Sequence, residues 1–274
     1  YRSALLVSGA GALYAAEYLG WAEAYQVMAL CGGVGLVTTL LIPRPALAND
    51  ESAPGAKAAP PTWPGLHGLF LAPIADFFVR NGRFAMFLLS FIALYRLSDI
   101  TMGIMANPFY LDLGYTKLQI ANIAKGLGFA LSILGSFLGG VLVVRWGVLM
   151  TLLIGGVAVA LTNLLFALLA LTEPNLVWLA LIIGADNLSG GIAATSFIAY
   201  LSSLTHTAYT ATQYALFSSL MTLPGKFTSG FSGIAVDAFG YPLFFVGAGV
   251  LGVPAIVMVL YLVHRERTTL LDHR

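Results

Sequence analysis

Apolar residues run along the chain in long blocks separated by short polar breaks. Each block is near or above the ~20 residues that an α-helix needs to cross a bilayer. They predict helices near residues 3–19, 22–42, 84–107, 117–143, 148–171, 175–203, 210–236 and 241–263. Several blocks exceed what a bilayer requires, which implies tilt or extension into water. No segment alternates apolar and polar positions with period two over short, even stretches, so a membrane barrel is not expected. The pattern predicts an all-α integral membrane protein with eight transmembrane helices.

One connection stands apart by length. Residues 43–65 hold Pro43, Pro45, Pro54, Pro60, Pro61 and Pro64 among Ala, Gly and polar residues, which cannot bury a core and read as a linker. Leu69, Phe70, Leu71, Ile74, Phe77, Phe78 and Val79 follow, mixed with Asp76, Arg80 and Arg83, a short amphipathic stretch expected to lie along the membrane surface. The expected organisation is therefore two helices over 1–42, a linker with its amphipathic segment over 43–83, a six-helix bundle over 84–264 and a tail over 265–274. With an even number of crossings, both termini and alternate loops share one side. That side collects Arg2, Arg44, Lys57, Arg80, Arg83, Arg145, Arg265, Arg267 and Arg274, against Lys117 on the other. The positive-inside bias makes it the cytoplasmic side.

Five charged residues fall well inside the predicted spans: Arg96, Asp99, Lys125, Asp186 and Lys226. A charge at the centre of a membrane helix costs roughly 2.5–3.5 kcal/mol on insertion scales, so such groups pair with one another or line a polar path. Arg96 and Asp99 are the foremost structural pair. Helical spacing places Arg96, Asp99, Gly103 and Asn107 on one stripe bordered by Tyr95 and Ser98, and Asn122, Lys125, Phe129, Ser132 and Ser136 on another. Gly135 and Gly139 form a small-xxx-small edge suited to close helix contact. Asp186, Asn187, Ser189, Gly190 and Gly191 interrupt the sixth span, and Gln213, Ser219, Thr222, Lys226 and Ser229 form a polar row in the seventh, where Pro224 predicts a kink. Three cations against two anions leave one positive charge over, for which an anionic small-molecule substrate is the economical partner. Asp99 and Asp186 are the candidate proton carriers, since burial and neighbouring charge pull a carboxyl in opposite directions.

Composition narrows the class further. Hydrophobic residues make up 59% of the 274 and charged residues 9%, with a mean hydropathy of +0.88, far from the soluble norm of about 25% charged. A net charge of +1 without a basic stripe excludes a nucleic-acid partner. Cys31 is the only cysteine, so an intrachain disulfide is impossible. His67, His206, His264 and His273 lack ligand spacing, and no metal or cofactor is expected. Gly247, Gly249 and Gly252 spell a dinucleotide-like pattern inside the last span, with no strand before it, and are packing or bending sites. The sequon at Asn187–Ser189 is buried in a span. An intramembrane transferase would need a catalytic His or paired carboxylates within a helix, and neither occurs. A scaffold would not need five intramembrane charges.

Two helices before a cytoplasmic connection and six after it resemble the second half of a major facilitator carrier with the last two helices of its first half attached. On that resemblance four leading helices are missing, and the opening Tyr1-Arg2 agrees with a piece of a longer protein. More specifically, Tyr95-Arg96-Leu97-Ser98-Asp99, Asp186-Asn187-Leu188-Ser189-Gly190-Gly191 and Ala211-Thr212-Gln213-Tyr214-Ala215-Leu216 resemble the AmpG muropeptide permeases. So do Ala72-Pro73, Asp76-Phe77-Phe78, Arg80-Asn81 and Gly20-Trp21. The carrier-wide loop motif survives as Gly140 and Arg145-Trp146-Gly147, with Val144 in the acidic position.

The resemblance implies proton-driven import of anhydromuropeptides, anionic glycopeptides released by wall turnover, across the bacterial inner membrane for peptidoglycan recycling. It also implies a link to β-lactamase induction and a monomer in lipid. Substrate carboxylates would suit Arg96, Lys125 and Lys226, and sugar hydroxyls Asn122, Asn187 and Gln213, with Tyr95 beside them. Another large anion such as acetyl-CoA is the nearest alternative cargo.

Overall fold

The computed structural model describes residues 20–42 and 71–272, besides residues 15 and 18. The rest of the helix expected at 3–19, and the linker as far as residue 70, lie outside them. The chain falls into two compact units, residues 1–63 and 64–274. In the first, α1 (Trp21–Leu41) starts behind Gly20 and buries Ala24, while Leu30, Val34, Leu36 and Leu40 stay exposed.

The second unit holds α2 (Ala72–Asn81), α3 (Phe84–Tyr95), α4 (Leu97–Asp112), α5 (Lys117–Ile120), a π-helical segment (Ala121–Leu127), α6 (Gly128–Trp146), α7 (Val148–Leu169), α8 (Leu176–Leu204), a 3₁₀ turn (Thr207–Tyr209), α9 (Thr210–Ser229) and α10 (Ser232–Asp272). All are helical, as the hydrophobic pattern requires. Six stretches among the described residues are long and apolar enough to cross a membrane: Trp21–Leu41, Phe84–Asp112, Lys117–Trp146, Val148–Leu169, Leu176–Leu204 and Ser232–Glu266. The helix expected at 210–236 forms as α9 but is not among the six; Gln213, Ser218, Ser219, Thr222, Lys226 and Thr228 dilute its apolar surface.

Local chemistry explains the boundaries. Thr116 and Gln119 form a reciprocal capping box that starts α5, and Asn175 caps α8 by accepting from the backbone of Val177 at 2.8 Å. Gly147 alone turns the chain from α6 into α7 at φ 84°, a left-handed conformation that costs glycine nothing. Gly240, at φ 76°, breaks α10 in the same way. Boundaries also depart from expectation: the helix expected to run to 236 ends as α9 at Ser229, and residues 232–236 belong to α10. The single span at 84–107 is interrupted at Arg96, and it continues through Pro108 to Asp112 because Phe109 and Tyr110 bury there. The tail expected after 264 instead extends α10 to Asp272.

Two aromatic clusters hold the bundle. Phe91, Tyr95, Phe197 and Tyr200 pack with Leu152 and Val259 in one. Phe109, Phe166 and Phe245 pack with Ile182 and Ile183 in the other. The glycine edge of α6 presses against α8. A Cβ on Gly135 would lie 2.2 Å from the Leu188 carbonyl oxygen, and one on Gly191 would lie 2.6 Å from the Ser132 oxygen. Around Gly140 nothing lies within 4 Å.

The glycine geometry predicts opposite outcomes for two substitutions one turn apart. Gly135→Val should force α6 and α8 apart and cost about 1–3 kcal/mol or more, as overpacking does. Gly140→Ala should leave the detergent-solubilised melting temperature unchanged or raise it, since alanine is the better helix former.

Candidate functional site

Polar side chains interrupt the apolar faces of α4, α7 and α8 and meet one another. In α3–α4 the interruption occurs at Arg96, whose φ of −98° and ψ of 3° end one helix and start the next. Its guanidinium is ion-paired with Asp99, three residues on, and both side chains are about a quarter exposed. The amides released at the break lie in the first turn of α4, so the acidic Asp99 there meets a positive helix end as well as Arg96. Tyr95 is buried, donates its hydroxyl to the Leu152 carbonyl at 2.8 Å and stacks on Phe197 with ring centroids 4.6 Å apart. A cleft of about 20 Å³ lies against Tyr95, Arg96, Ser98, Asp99, Gly156 and Gly252. That is room for one water molecule.

A second polar group lies in α7 and α8. Thr162 donates to the Asp186 carboxylate at 3.2 Å, and its neighbour Asn163 is fully buried and donates to Ser98 Oγ at 2.7 Å. Ser98 in turn donates to the Ala248 carbonyl at 2.7 Å, so one chain of hydrogen bonds joins α7, α4 and α10. Asp186 is half-buried and within electrostatic range of both Asp99 and the Tyr110 hydroxyl. The Oδ1 of Asn163 is buried without a partner among the described residues. An orphaned acceptor of this kind costs roughly 1–3 kcal/mol, so it belongs to a place where water or another donor arrives.

The other predicted positions are distributed around this centre. Asn187 is half-buried, donates to the Ile183 carbonyl at 2.9 Å and rests on Gly128, where a Cβ would come within 3.0 Å of its amide nitrogen. Asn122 and Lys125 both fall on the π-helical segment, whose wider turn shifts the register between α5 and α6. Asn122 is exposed, and the side chain of Lys125 lies outside the described residues. Lys226 is exposed on α9, next to Gly225, whose Cβ position is 2.8 Å from Ile100 and which therefore brings α9 hard against α4. Gln213 is elsewhere. It is 1% exposed and bonds to Pro73, Asp76, Arg80 and His206 at the opposite end of α9 from Lys226.

Thr162, Asn163 and Tyr110 had not been singled out from the sequence. Asn163 did carry a signal: it is an amide inside α7, the span with a hydropathy of 2.4, where a polar side chain needs a partner.

Comparison with known proteins agrees with this architecture. The Major Facilitator Superfamily profile matches residues 3–229. A Rickettsia conorii relative named as the transporter AmpG 4 is 33% identical over 264 residues, covering 96% of this chain and 62% of its own length. A Rickettsia bellii relative named AmpG 1 is 30% identical over 272 residues, covering 95% of this chain and 62% of its own length. A protein of Escherichia coli K12 named anhydromuropeptide permease is 30% identical over 262 residues, covering 95% of this chain and 51% of its own. The chain thus spans between about half and three fifths of these relatives' lengths. Helices long and apolar enough to cross a membrane and a profile match over most of the sequence lead to one statement: the chain belongs to the Major Facilitator Superfamily of membrane transporters.

Proposed function

We propose that this chain forms part of a proton-coupled carrier that imports anhydromuropeptides across the bacterial inner membrane. In this reading residues 1–42 belong to a first helical bundle, 84–264 form the second, and both termini face the cytoplasm, in keeping with the basic residues gathered on that side. The observation that carries the proposal is the ion pair Arg96–Asp99 on the broken span, with the Asp186 carboxylate of α8 in electrostatic range.

The mechanism follows from charge balance. While Asp99 is ionised it holds Arg96, and the pair is close to neutral. Protonation of Asp99 leaves the guanidinium with its charge uncompensated by that partner, and a substrate carboxylate restores the balance by a two-pronged hydrogen bond. Two carboxylates in range of one another resist being ionised together, so a proton held by one is released more readily once the other is neutral or paired. Proton and anionic cargo then bind as a set and leave as a set. Lys125 and Lys226 would contribute further positive charge, and Asn122 and Asn187 donors and acceptors for sugar hydroxyls. The similarity to a protein named anhydromuropeptide permease supports this cargo over other large anions.

Two outcomes test the reading in the full-length protein. Asp186→Asn should abolish uptake of labelled anhydromuropeptide driven by a pH gradient in membrane vesicles, while membrane insertion is unchanged; acetyl-CoA run beside it should not be taken up by the wild type. Arg96→Gln alone should lower uptake at least tenfold and destabilise the protein, because it leaves Asp99 without its partner. The double variant Arg96→Gln/Asp99→Asn should recover the melting temperature but not the uptake.

A further inference from the structure

At one end of α9, away from the mid-membrane charges, a second polar cluster holds α2 against the bundle. Its hub is Gln213. The side-chain nitrogen donates to the Pro73 carbonyl at 2.9 Å and to Asp76 Oδ2 at 3.0 Å. The side-chain oxygen accepts from the His206 backbone N–H at 2.7 Å and from Arg80 at 3.3 Å. All four of its hydrogen-bonding positions are thus used, which fixes both the amide orientation and the seat of α2. Arg80 adds a bond to Asp76 Oδ2 at 3.0 Å and one to the Leu204 carbonyl at 3.3 Å. Below this polar layer Phe77 packs edge-on against Phe217, with centroids 5.1 Å apart.

One position in the cluster is unfinished. His206 Nδ1 lies 3.6 Å from Asp76 Oδ1, beyond hydrogen-bond range, and it is buried without a partner among the described residues. The oxygen it faces is free to accept, since the bonds from Gln213 and Arg80 both go to Oδ2. The ring as a whole is 42% exposed, so a proton reaches it from water. The groups around it are known for each element packed there: Asp76 and Arg80 from α2, the Leu204 carbonyl ending α8, Tyr209 with its ring centroid 6.3 Å away, and the neutral amide of Gln213. Asp76 is the only anion among these, and Arg80 the one cation that opposes a charged imidazole.

We propose that His206 and Asp76 form a pH-sensitive clamp, in which protonation of His206 makes Nδ1 an obligatory donor, adds a positive charge opposite Asp76 Oδ1 and tightens α2 against the α8–α9 turn. Asp76 itself does not titrate in the working range. Partial desolvation pushes its carboxyl up, but the hydrogen bonds from Gln213 and Arg80 and the charges of Arg80 and His206 outweigh that and hold it below the usual carboxylate value. The protonated form has the extra contact, so the added stability belongs to the acid side and is lost when His206 gives up its proton. The clamp therefore acts on the seat of α2 within the second unit.

The test is hydrogen–deuterium exchange of the amides of residues 72–81 in the full-length protein in detergent, corrected for intrinsic rates. Wild type should exchange about two- to fivefold more slowly at pH 6 than at pH 8, the size expected of a partly exposed ion pair. His206→Gln should remove that pH dependence while keeping the pH 8 protection, and Asp76→Asn should remove it and lose protection at both pH values. Equal protection of wild type at the two pH values overturns the proposal, as does a pH dependence that survives in His206→Gln. The readout does not depend on transport, so it stands or falls apart from the carrier reading.

Discussion

The structure turns on the difficulty of keeping ionised groups at mid-depth in an apolar bundle. Taking a charge out of water costs several kcal/mol unless a partner and further hydrogen bonds compensate it. Here the compensation is assembled from four helices. Arg96 and Asp99 satisfy one another across a helix break, Thr162 donates to Asp186, and Asn163 and Ser98 tie α7 to α4 and α10. The aromatic clusters above and below make this belt possible, because they supply the apolar burial that the belt itself gives up.

The two kinds of helix contact are divided between different faces. Where α6 meets α8, glycines at 135 and 191 bring the backbones to within the distance of a missing Cβ. Where α4 meets α7 and α10, serine and asparagine hold the helices by hydrogen bonds, and a water-sized cleft remains against Arg96 and Asp99. The first face is suited to staying fixed. The second combines an orphaned acceptor, a removable ion pair and room for one water, which are the ingredients of a region with more than one low-energy arrangement.

The parts legible in the sequence are those governed by local pattern. Apolar length located the helices from 84 onward, small-xxx-small spacing located the α6 edge, and i, i+3 spacing joined Arg96 to Asp99. What remained hidden depends on partners far along the chain. Nothing local to Gln213 indicates that its amide is saturated by α2, since Asp76 is 137 residues away. The same holds for Asn163, whose partner is Ser98, 65 residues earlier. Pro108 misleads for a different reason: the helix continues through it because Phe109 and Tyr110 gain more from burial than one lost backbone hydrogen bond removes.

These observations single out α9. Among the spans expected over the described residues it is the one not apolar enough to count as a membrane crossing, and it is gripped at both ends by different chemistry. Its start is held by the polar cluster of Gln213, Asp76 and Arg80, whereas beyond the proline at 224 its grip is steric, through Gly225 against Ile100. Lys226 is exposed one residue past that contact. Pro224 removes a backbone donor between the two grips, so the helix can bend there without breaking either. The first turn of α9 is thus fixed by hydrogen bonds to α2 and its last by close steric contact with α4, with the proline between them.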